Sequence, residues 1–268
     1  MKKIGIIGCG NIGANLAVYI EKELSQRAVL YAVADIDQAR ADNLSKSLKN
    51  KPRYLQLADL VKECDIIVES AKGTVVPAIA KEVIAHKKTL LVMSSGGFIG
   101  NENLFNEAEK SGAHFNLVSG AIAGLDAVKA AKIAGIESVE IITRKPPKGL
   151  TGAPYIVEKG INLDALTGET VIFSGTARDA IKGFPANVNV ACTLSFAGIG
   201  LDKTKVSIIT APTMKTNSHE IRVQGSFGEI HTVTDNLPSP KNPKTSYLAV
   251  LSAMASLKAI VGHVHIGT

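Results

Sequence analysis

The chain has 268 residues, 46% of them hydrophobic and 20% charged, with 24 glycines and 10 prolines. That balance excludes a disordered tail, a collagen-like fibre and a coiled coil, and it allows one large domain or two ordinary ones. No apolar run reaches the ~18 residues of a membrane span, and the formal charge of +6 comes without basic clusters interleaved with aromatics, so neither membrane nor nucleic acid is an expected partner.

The chain opens with two lysines and an apolar stretch, as a secretion signal does. Gly5, Gly8, Gly10 and Gly13 interrupt that stretch, and no small-residue cleavage site follows. Cys9, Cys64 and Cys192 are widely spaced and odd in number, which suits a reducing compartment. The expected location is the cytoplasm.

Lys3–Gly8 reads as a first strand, and residues 11–24 as a helix with Ile12, Leu16, Ala17, Ile20 and Leu24 at helical spacing. AVLYAVAD is a second buried strand ending at Asp35. Helices over 38–48 and 57–64 lead to a third strand, DIIVES. Helix 77–86, strand TLLVMSS, helix 102–110 and strand HFNLVSG complete the first part. Strands alternating with helices across short turns predict a parallel sheet with helices on both faces. The pattern then changes. VEIITRK runs into Pro146 and Pro147, TVIFSG follows, and TARDAIKGF and residues 187–199 read as helices. KVSIITAP, NSHEIRVQG and GEIHTVTDN are strand-like, the last two joined by a tight Gly225–Gly228 connection. This predicts a mixed or antiparallel sheet with helices on one face. A final helix from about Ser246 carries Leu248, Leu251, Met254, Leu257 and Val261 on one stripe, and is expected to pack on the first domain. The fold class is therefore α/β: a dinucleotide-binding domain of residues 1–120 and 245–268, plus a second, α+β domain with a mixed sheet over 121–244.

Gly8, Gly10 and Gly13 form G-x-G-x-x-G directly after a predicted strand and at the start of a helix, and Asp35 stands about 20 residues further on, near the spacing for ribose recognition. Gly8 permits the tight turn, Gly10 lets the backbone approach a pyrophosphate, and Gly13 lets helix and strand pack closely. The helix N-terminus, with Asn11 and Ile12, offers N–H groups to the anion. This is a Rossmann dinucleotide site for NAD or NADP. Asp35 argues for NAD, and the nearby Arg40 blurs that preference. Cys9 reads as a small residue filling the turn.

His219 shares parity with Ile221 and Val223 in NSHEIRVQG, so it points to the apolar face, while Glu220 and Arg222 point away. On spacing alone a core histidine is favoured over a catalytic one. His263 and His265 form an H-x-H, but two ligands do not make a metal site, and no metal is expected.

The segments IGIIGCGNIG, VMSSGGF, VSGAIAGLDAVKAAKIAGI, TRKPP, FPANVNVACTLSFAGIG, NSHEI and NPKTSYLA, in this order across nearly the whole chain, resemble the L-aspartate dehydrogenases. Lys72–Gly73 and Cys192 depart from the family pattern. The resemblance implies reversible NAD(P)-dependent conversion of L-aspartate to iminoaspartate, and with water to oxaloacetate and ammonia, at the head of NAD biosynthesis, by a homodimer. It makes His219 the catalytic histidine, and places Ala123 and Asn189 at the nicotinamide end of the cofactor and Ala71 among the cofactor-binding residues. Histidine suits proton transfer near neutral pH. A dicarboxylate needs cationic or N–H-rich anchors, for which Lys145, Arg144, Lys244, Asn187 and Thr193 are candidates; Asn187 and Asn189 open a helix, whose N-terminus favours a carboxylate. The competing readings are a two-domain NAD(P)-dependent dehydrogenase of another small amino or oxo acid, and a non-catalytic NAD-binding sensor.

Overall fold

A computed structural model describes residues 1–185, 189–240 and 242–267, without the side chains of 242–244. The chain forms two compact units, Met1–Val118 with Val250–His265, and Ser119–Ala249 with the chain end from Ile266. Among the described residues, no helix is long and apolar enough to cross a membrane.

The first unit runs β1 (Lys2–Ile7), α1 (Asn11–Glu23), β2 (Ala28–Ala34), α2 (Gln38–Ser47), β3 (Arg53–Tyr54), α3 (Leu57–Glu63), β4 (Ile66–Glu69), α4 (Val76–Ala85), β5 (Thr89–Val92), α5 (Asn103–Ser111) and β6 (His114–Leu117). All its strand pairs are parallel, in the order β3-β2-β1-β4-β5-β6. This is the doubly wound Rossmann arrangement, with its reversal of direction between β1 and β4, where such sheets bind ligands beyond their carboxyl ends. The α/β expectation holds. Ile4, Ile6, Leu16, Ile20, Leu30, Val33 and Val68 form one buried cluster, joined by Ala253, Leu257 and Val261 from the C-terminal helix.

The second unit runs α6 (Leu125–Ala134), β7 (Ile136–Lys145), α7 (Pro154–Glu158), β8 (Thr170–Thr176), α8 (Ala177–Gly183), α9 (Asn189–Ala197), β9 (Lys205–Thr210), β10 (Asn217–Gly225) and β11 (Gly228–Asn236), then β12 (Pro238–Ser239) and β13 (Asn242–Ser246), which pair antiparallel. Its main sheet is mixed, in the order β11-β10-β7-β9-β8, with β7 and β9 the parallel pair. The β10–β11 hairpin closes between Gly225 and Gly228; Gly228 has φ +110°, a conformation that L side chains rarely adopt. Val139, Ile141, Val206, Ile208, Ile221 and Val223 are at most 2% exposed and lie on the face covered by α6 and α8, against which α9 packs. Lys205, Arg222 and Gln224 fall on the other face, which is exposed at those positions.

One helix faces differently from its sequence reading. In α10 (Tyr247–Ile260) the buried positions are Val250, Ala253 and Leu257, followed by Val261. Leu248 and Leu251, predicted to be on the packed stripe, are 38% and 39% exposed. The helix is apolar almost all round, so a 3.6-residue period fits two stripes equally, and the small Ala253 gives the closer approach.

Candidate active site

The turn after β1 is shaped by contacts that leave no room for side chains. Gly8 has φ +97°, and a Cβ there would lie 2.6 Å from the backbone of Ser70. A Cβ on Gly13 would lie 2.0 Å from the Gly8 carbonyl oxygen. Ser70, at the end of β4, donates its hydroxyl to that same carbonyl at 2.7 Å, so the glycine loop and the turn after β4 form one rigid piece. Gly10 is different: its φ is −72° and no atom lies within 4 Å of where its Cβ would sit. That space is open above the N-terminus of α1, which no side chain caps. The first N–H groups of a helix lack intrahelical acceptors, and the buried Asn11 Nδ2 also lacks a hydrogen-bond partner among the described residues. An anion fits this cradle of donors and helix dipole. Ile12 packs against the core and anchors the first turn beneath it.

Asp35 closes the loop from the other side. Its Oδ2 accepts from the Cys9 N–H at 2.7 Å and its Oδ1 from the Asp37 N–H at 2.9 Å. The Asp35 carboxylate is thus fixed at the end of β2 with lone pairs to spare for a ribose hydroxyl. Arg40 Nη1 lies 4.0 Å from it on a side chain that is 55% exposed. Burial pushes the Cys9 thiol up to about 12, and Asp35 adds to the shift; its Sγ donates to the Ala34 carbonyl at 3.6 Å. Cys9 is an inert turn filler.

Glu69 belongs to this architecture and was missed by sequence reasoning. It is fully buried at the end of β4, where its carboxylate accepts from the N–H groups of Ala71 (2.8 Å), Met93 (3.1 Å) and Ser94 (2.9 Å). It thereby ties the turn carrying Ala71, itself exposed, to the turn after β5. Burial raises its carboxyl above the usual range, against these donors. The available signal was an acid ending a strand otherwise made of buried aliphatics, Ile66–Val68.

In the second unit, His219 lies on the helix-covered face of β10 and is 4% exposed. Its Nδ1 and the Thr143 hydroxyl on β7 are 3.0 Å apart, which fixes the orientation of the ring. Burial, and then the nearby Lys145 charge, lower the imidazole pKa to about 3, which keeps the ring neutral. Lys145 follows Thr143 on the same face and is 8% exposed; burial pushes its ammonium down to about 8. Arg144, between them, points to the opposite face, where its guanidinium meets Glu220 at 2.8 Å. Arg222 and His231 join the same carboxylate, and these partners hold Glu220 down at about 2. Arg144, a candidate anchor for a dicarboxylate on the sequence alone, is here an ion-pair partner of Glu220 on the face of the sheet opposite His219.

Thr193 is buried in α9, and Asn189 is half-buried at its first turn. Asn187 and the side chain of Lys244 lie outside the described residues. Ala123 is exposed, and its carbonyl accepts from the Thr232 hydroxyl at 3.2 Å. The Ala121 carbonyl accepts from Thr234 Oγ1 at 2.7 Å and Asn236 Nδ2 at 3.1 Å. Alternate side chains of β11 thus hold residues 121–123 in place, a role that their period-two spacing could have suggested.

Two family models match the chain: "Aspartate dehydrogenase, C-terminal" over residues 126–260, and "Homoserine dehydrogenase, NAD binding domain" over residues 8–117. The chain is 47% identical to an L-aspartate dehydrogenase of Methanosarcina mazei, with both chains covered completely. It is 40% identical to an L-aspartate dehydrogenase of Nitrosopumilus maritimus, with 96% of each covered. Among solved structures, an aspartate dehydrogenase of Thermotoga maritima superposes with a TM-score of 0.75 at 27% identity over the whole of both chains. A scyllo-inositol dehydrogenase of Lactobacillus casei, at 16% identity and TM-score 0.54 with 100% of this chain and 92% of that chain covered, shares the fold.

Proposed function

The chain belongs to the L-aspartate dehydrogenase family, and from that premise we propose that it catalyses the reversible NAD(P)-dependent oxidation of L-aspartate to iminoaspartate, with hydrolysis to oxaloacetate and ammonia. The observation that carries this reading is the neutral, buried His219, fixed through Nδ1 by Thr143 beside Lys145.

The cofactor fits the residues present. Gly8, Gly10 and Gly13 with the N–H groups at Asn11 and Ile12 take the pyrophosphate, Asp35 the adenosine ribose, and Ala71 belongs to the adjoining turn. On the family resemblance, Ala123 and Asn189 serve the nicotinamide end. Bound there, the nicotinamide supplies the hydride acceptor for oxidation and the donor for reductive amination. Asp35 favours NAD, because a carboxylate repels a 2′-phosphate; Arg40 is the residue that permits some NADP.

His219 acts in the hydrolytic half. Its neutral Nε2 accepts a proton from the water that adds to the iminium carbon and returns it to the carbinolamine nitrogen; as the C–N bond breaks, Nε2 takes the hydroxyl proton and passes it to the departing ammonia, leaving the ketone and ammonium. Asn187, Thr193, Lys145 and Lys244 are proposed to contact the substrate. The exposed face of the mixed sheet, carrying Val171 and Val233 at 59% and 53% exposure, supports a homodimer. The enzyme is proposed to work in the cytoplasm and to feed NAD biosynthesis.

The test is NADH oxidation with oxaloacetate and ammonia, against the same mixture with other 2-oxo acids. Oxaloacetate is expected to be preferred. Preference for a different acid would reassign the substrate, and no oxidation with any of them would leave a cofactor-binding sensor.

A further inference from the structure

Three consecutive rungs cross the helix-covered face of the second sheet. Val206, Ile141, Ile221 and Thr232 make the first, Ile208, Thr143, His219 and Thr234 the second. The third holds Thr210 and Lys145, which pair, and Asn217 and Asn236, which pair one position beyond the Arg144–Ser218 pair. Across two rungs the covered face turns from mainly aliphatic to wholly polar. Thr210, Asn236 and Lys145 are 0%, 3% and 8% exposed. A buried ammonium is costly unless it is paired or gives up its proton more easily, and burial pushes Lys145 down to about 8.

Asn236 supplies a second, independent observation. Its Nδ2 donates to the Ala121 carbonyl at 3.1 Å and the Thr234 carbonyl at 3.2 Å, so the amide orientation is fixed by two acceptors. Its Oδ1 is buried with no hydrogen-bond partner among the described residues. A buried acceptor beside a polar rung calls for a ligand that brings N–H donors.

We propose that Lys145 is a second catalytic residue, whose ε-amino group accepts the proton that the substrate's α-ammonium group must lose, while the Asn236 amide oxygen accepts another N–H of that group. This rests on the amino-acid oxidation proposed above. The balance is simple. R–NH3+ and the neutral Lys145 amine give R–NH2 and the Lys145 ammonium. The Cα–H pair then leaves as hydride to NAD(P)+, the nitrogen lone pair forms the C=N bond, and the product is C=NH2+. Water converts this to the ketone and ammonium.

The two bases on the face divide the work. His219, lowered to about 3, is neutral and can orient or briefly relay a proton, but it does not hold one near pH 7. Lys145, at about 8, takes up and releases a proton in the working range. Of the carboxylates on the nearest strands, Glu140, Glu220, Glu229 and Asp235 fall on the other face of the sheet, and Glu137 is exposed at the far end of β7. Asp126, Lys129 and Lys132 of α6 and Asp179 and Lys182 of α8 are exposed; Arg178 of α8 pairs with Asp202. On α9 the titratable group is Cys192, whose thiol burial pushes up to about 12. The turn that follows β7 packs Gly149 against the Lys145 side chain, and Lys148 of that turn is exposed; among the described residues, His219 is the titratable group whose proton affinity the Lys145 charge lowers.

The sign of the pH dependence separates this role from that of a carboxylate anchor. Wild-type kcat/KM for aspartate oxidation is expected to rise with unit slope through about pH 8 and level off above it for as long as the free amino acid keeps its ammonium proton. A charged anchor instead predicts a fall above pH 8. Lys145→Ala and Lys145→Met are expected to lower kcat by roughly a hundredfold or more, to lose that limb, and to bind NADH normally. Succinate, a dicarboxylate without an amine, should inhibit both variants within threefold of wild type, and added primary amines should restore Lys145→Ala in order of their basicity. A wild-type profile in either variant, absent amine rescue, or succinate inhibition lost tenfold overturns the proposal. A wild type that forms no NADH from aspartate overturns the reaction itself, and the proposal with it.

Discussion

Replacing Gly10 by alanine separates binding from folding better than any other change in the glycine loop. Its φ of −72° is ordinary for alanine, and nothing lies within 4 Å of the new methyl. The folded state therefore loses no contact and meets no clash, and the restricted unfolded chain favours the variant by up to about 1 kcal/mol. The methyl does occupy the space through which a pyrophosphate reaches the N–H groups of α1. Displacing the phosphate from one charge-assisted hydrogen bond costs ~1.5–3 kcal/mol, which is roughly a 10- to 150-fold loss of affinity at 1.4 kcal/mol per decade. The assay is a fluorescence titration of NADH beside a thermal melt without cofactor. The expected result is at least a tenfold higher Kd with an unchanged or slightly raised Tm. NADH affinity within twofold of wild type would refute a pyrophosphate path over Gly10, and a Tm lowered by several degrees would refute the open space.

Gly13→Ala should do the opposite, because its Cβ meets the Gly8 carbonyl at 2.0 Å; the apo protein should melt well below wild type, and an unchanged melt would show that the loop yields freely. His219→Ala should cost about a hundredfold or more in turnover while the NADH Kd stays within threefold, and near-normal turnover would remove His219 from the chemistry. Asp35→Ser should weaken NADH more than NADPH, moving their Kd ratio at least tenfold toward NADPH; a constant ratio would deny Asp35 its ribose contact. Stability should depend on acid in a stated order. The folded His219 at about 3 lies below its unfolded 6.5, so the unfolded chain takes up a proton first and stability falls as pH drops from 6.5 toward 3. Glu220, at about 2 against 4.5, adds a loss only below about 4.5. Melts of His219→Gln between pH 7 and 4.5 should be flatter than wild type, and equal slopes would contradict a buried neutral imidazole.

The first unit was legible because strands buried on both faces leave continuous aliphatic runs, such as Leu90–Val92 before a Ser turn, separated by helices with one apolar stripe. The failures have physical causes. Arg53–Tyr54 pairs over two residues, too short to show any period. The alanine-rich α6 buries only Val128 and Ala131, so no stripe marks it. In α10 the aliphatic residues surround the axis, and only packing chose between Val250–Ala253–Leu257 and the stripe through Leu251.

The site was legible to the extent that parity was applied. His219 was placed on the covered face because the two-residue period admits no other choice once Ile221 and Val223 are inside. The same rule applied to Thr143, Arg144 and Lys145 separates them at once: Thr143 and Lys145 share the face of His219, and Arg144 must leave it for Glu220. What parity could not supply is Asn236, whose importance lies in an amide oxygen that finds no partner among the described residues. Folding stability alone gives no reason for a wholly polar rung with a lysine under a helical cover, since aliphatic residues there would pack at lower cost. The amino acid proposed to enter in its ammonium form is a ligand that would donate protons to this rung.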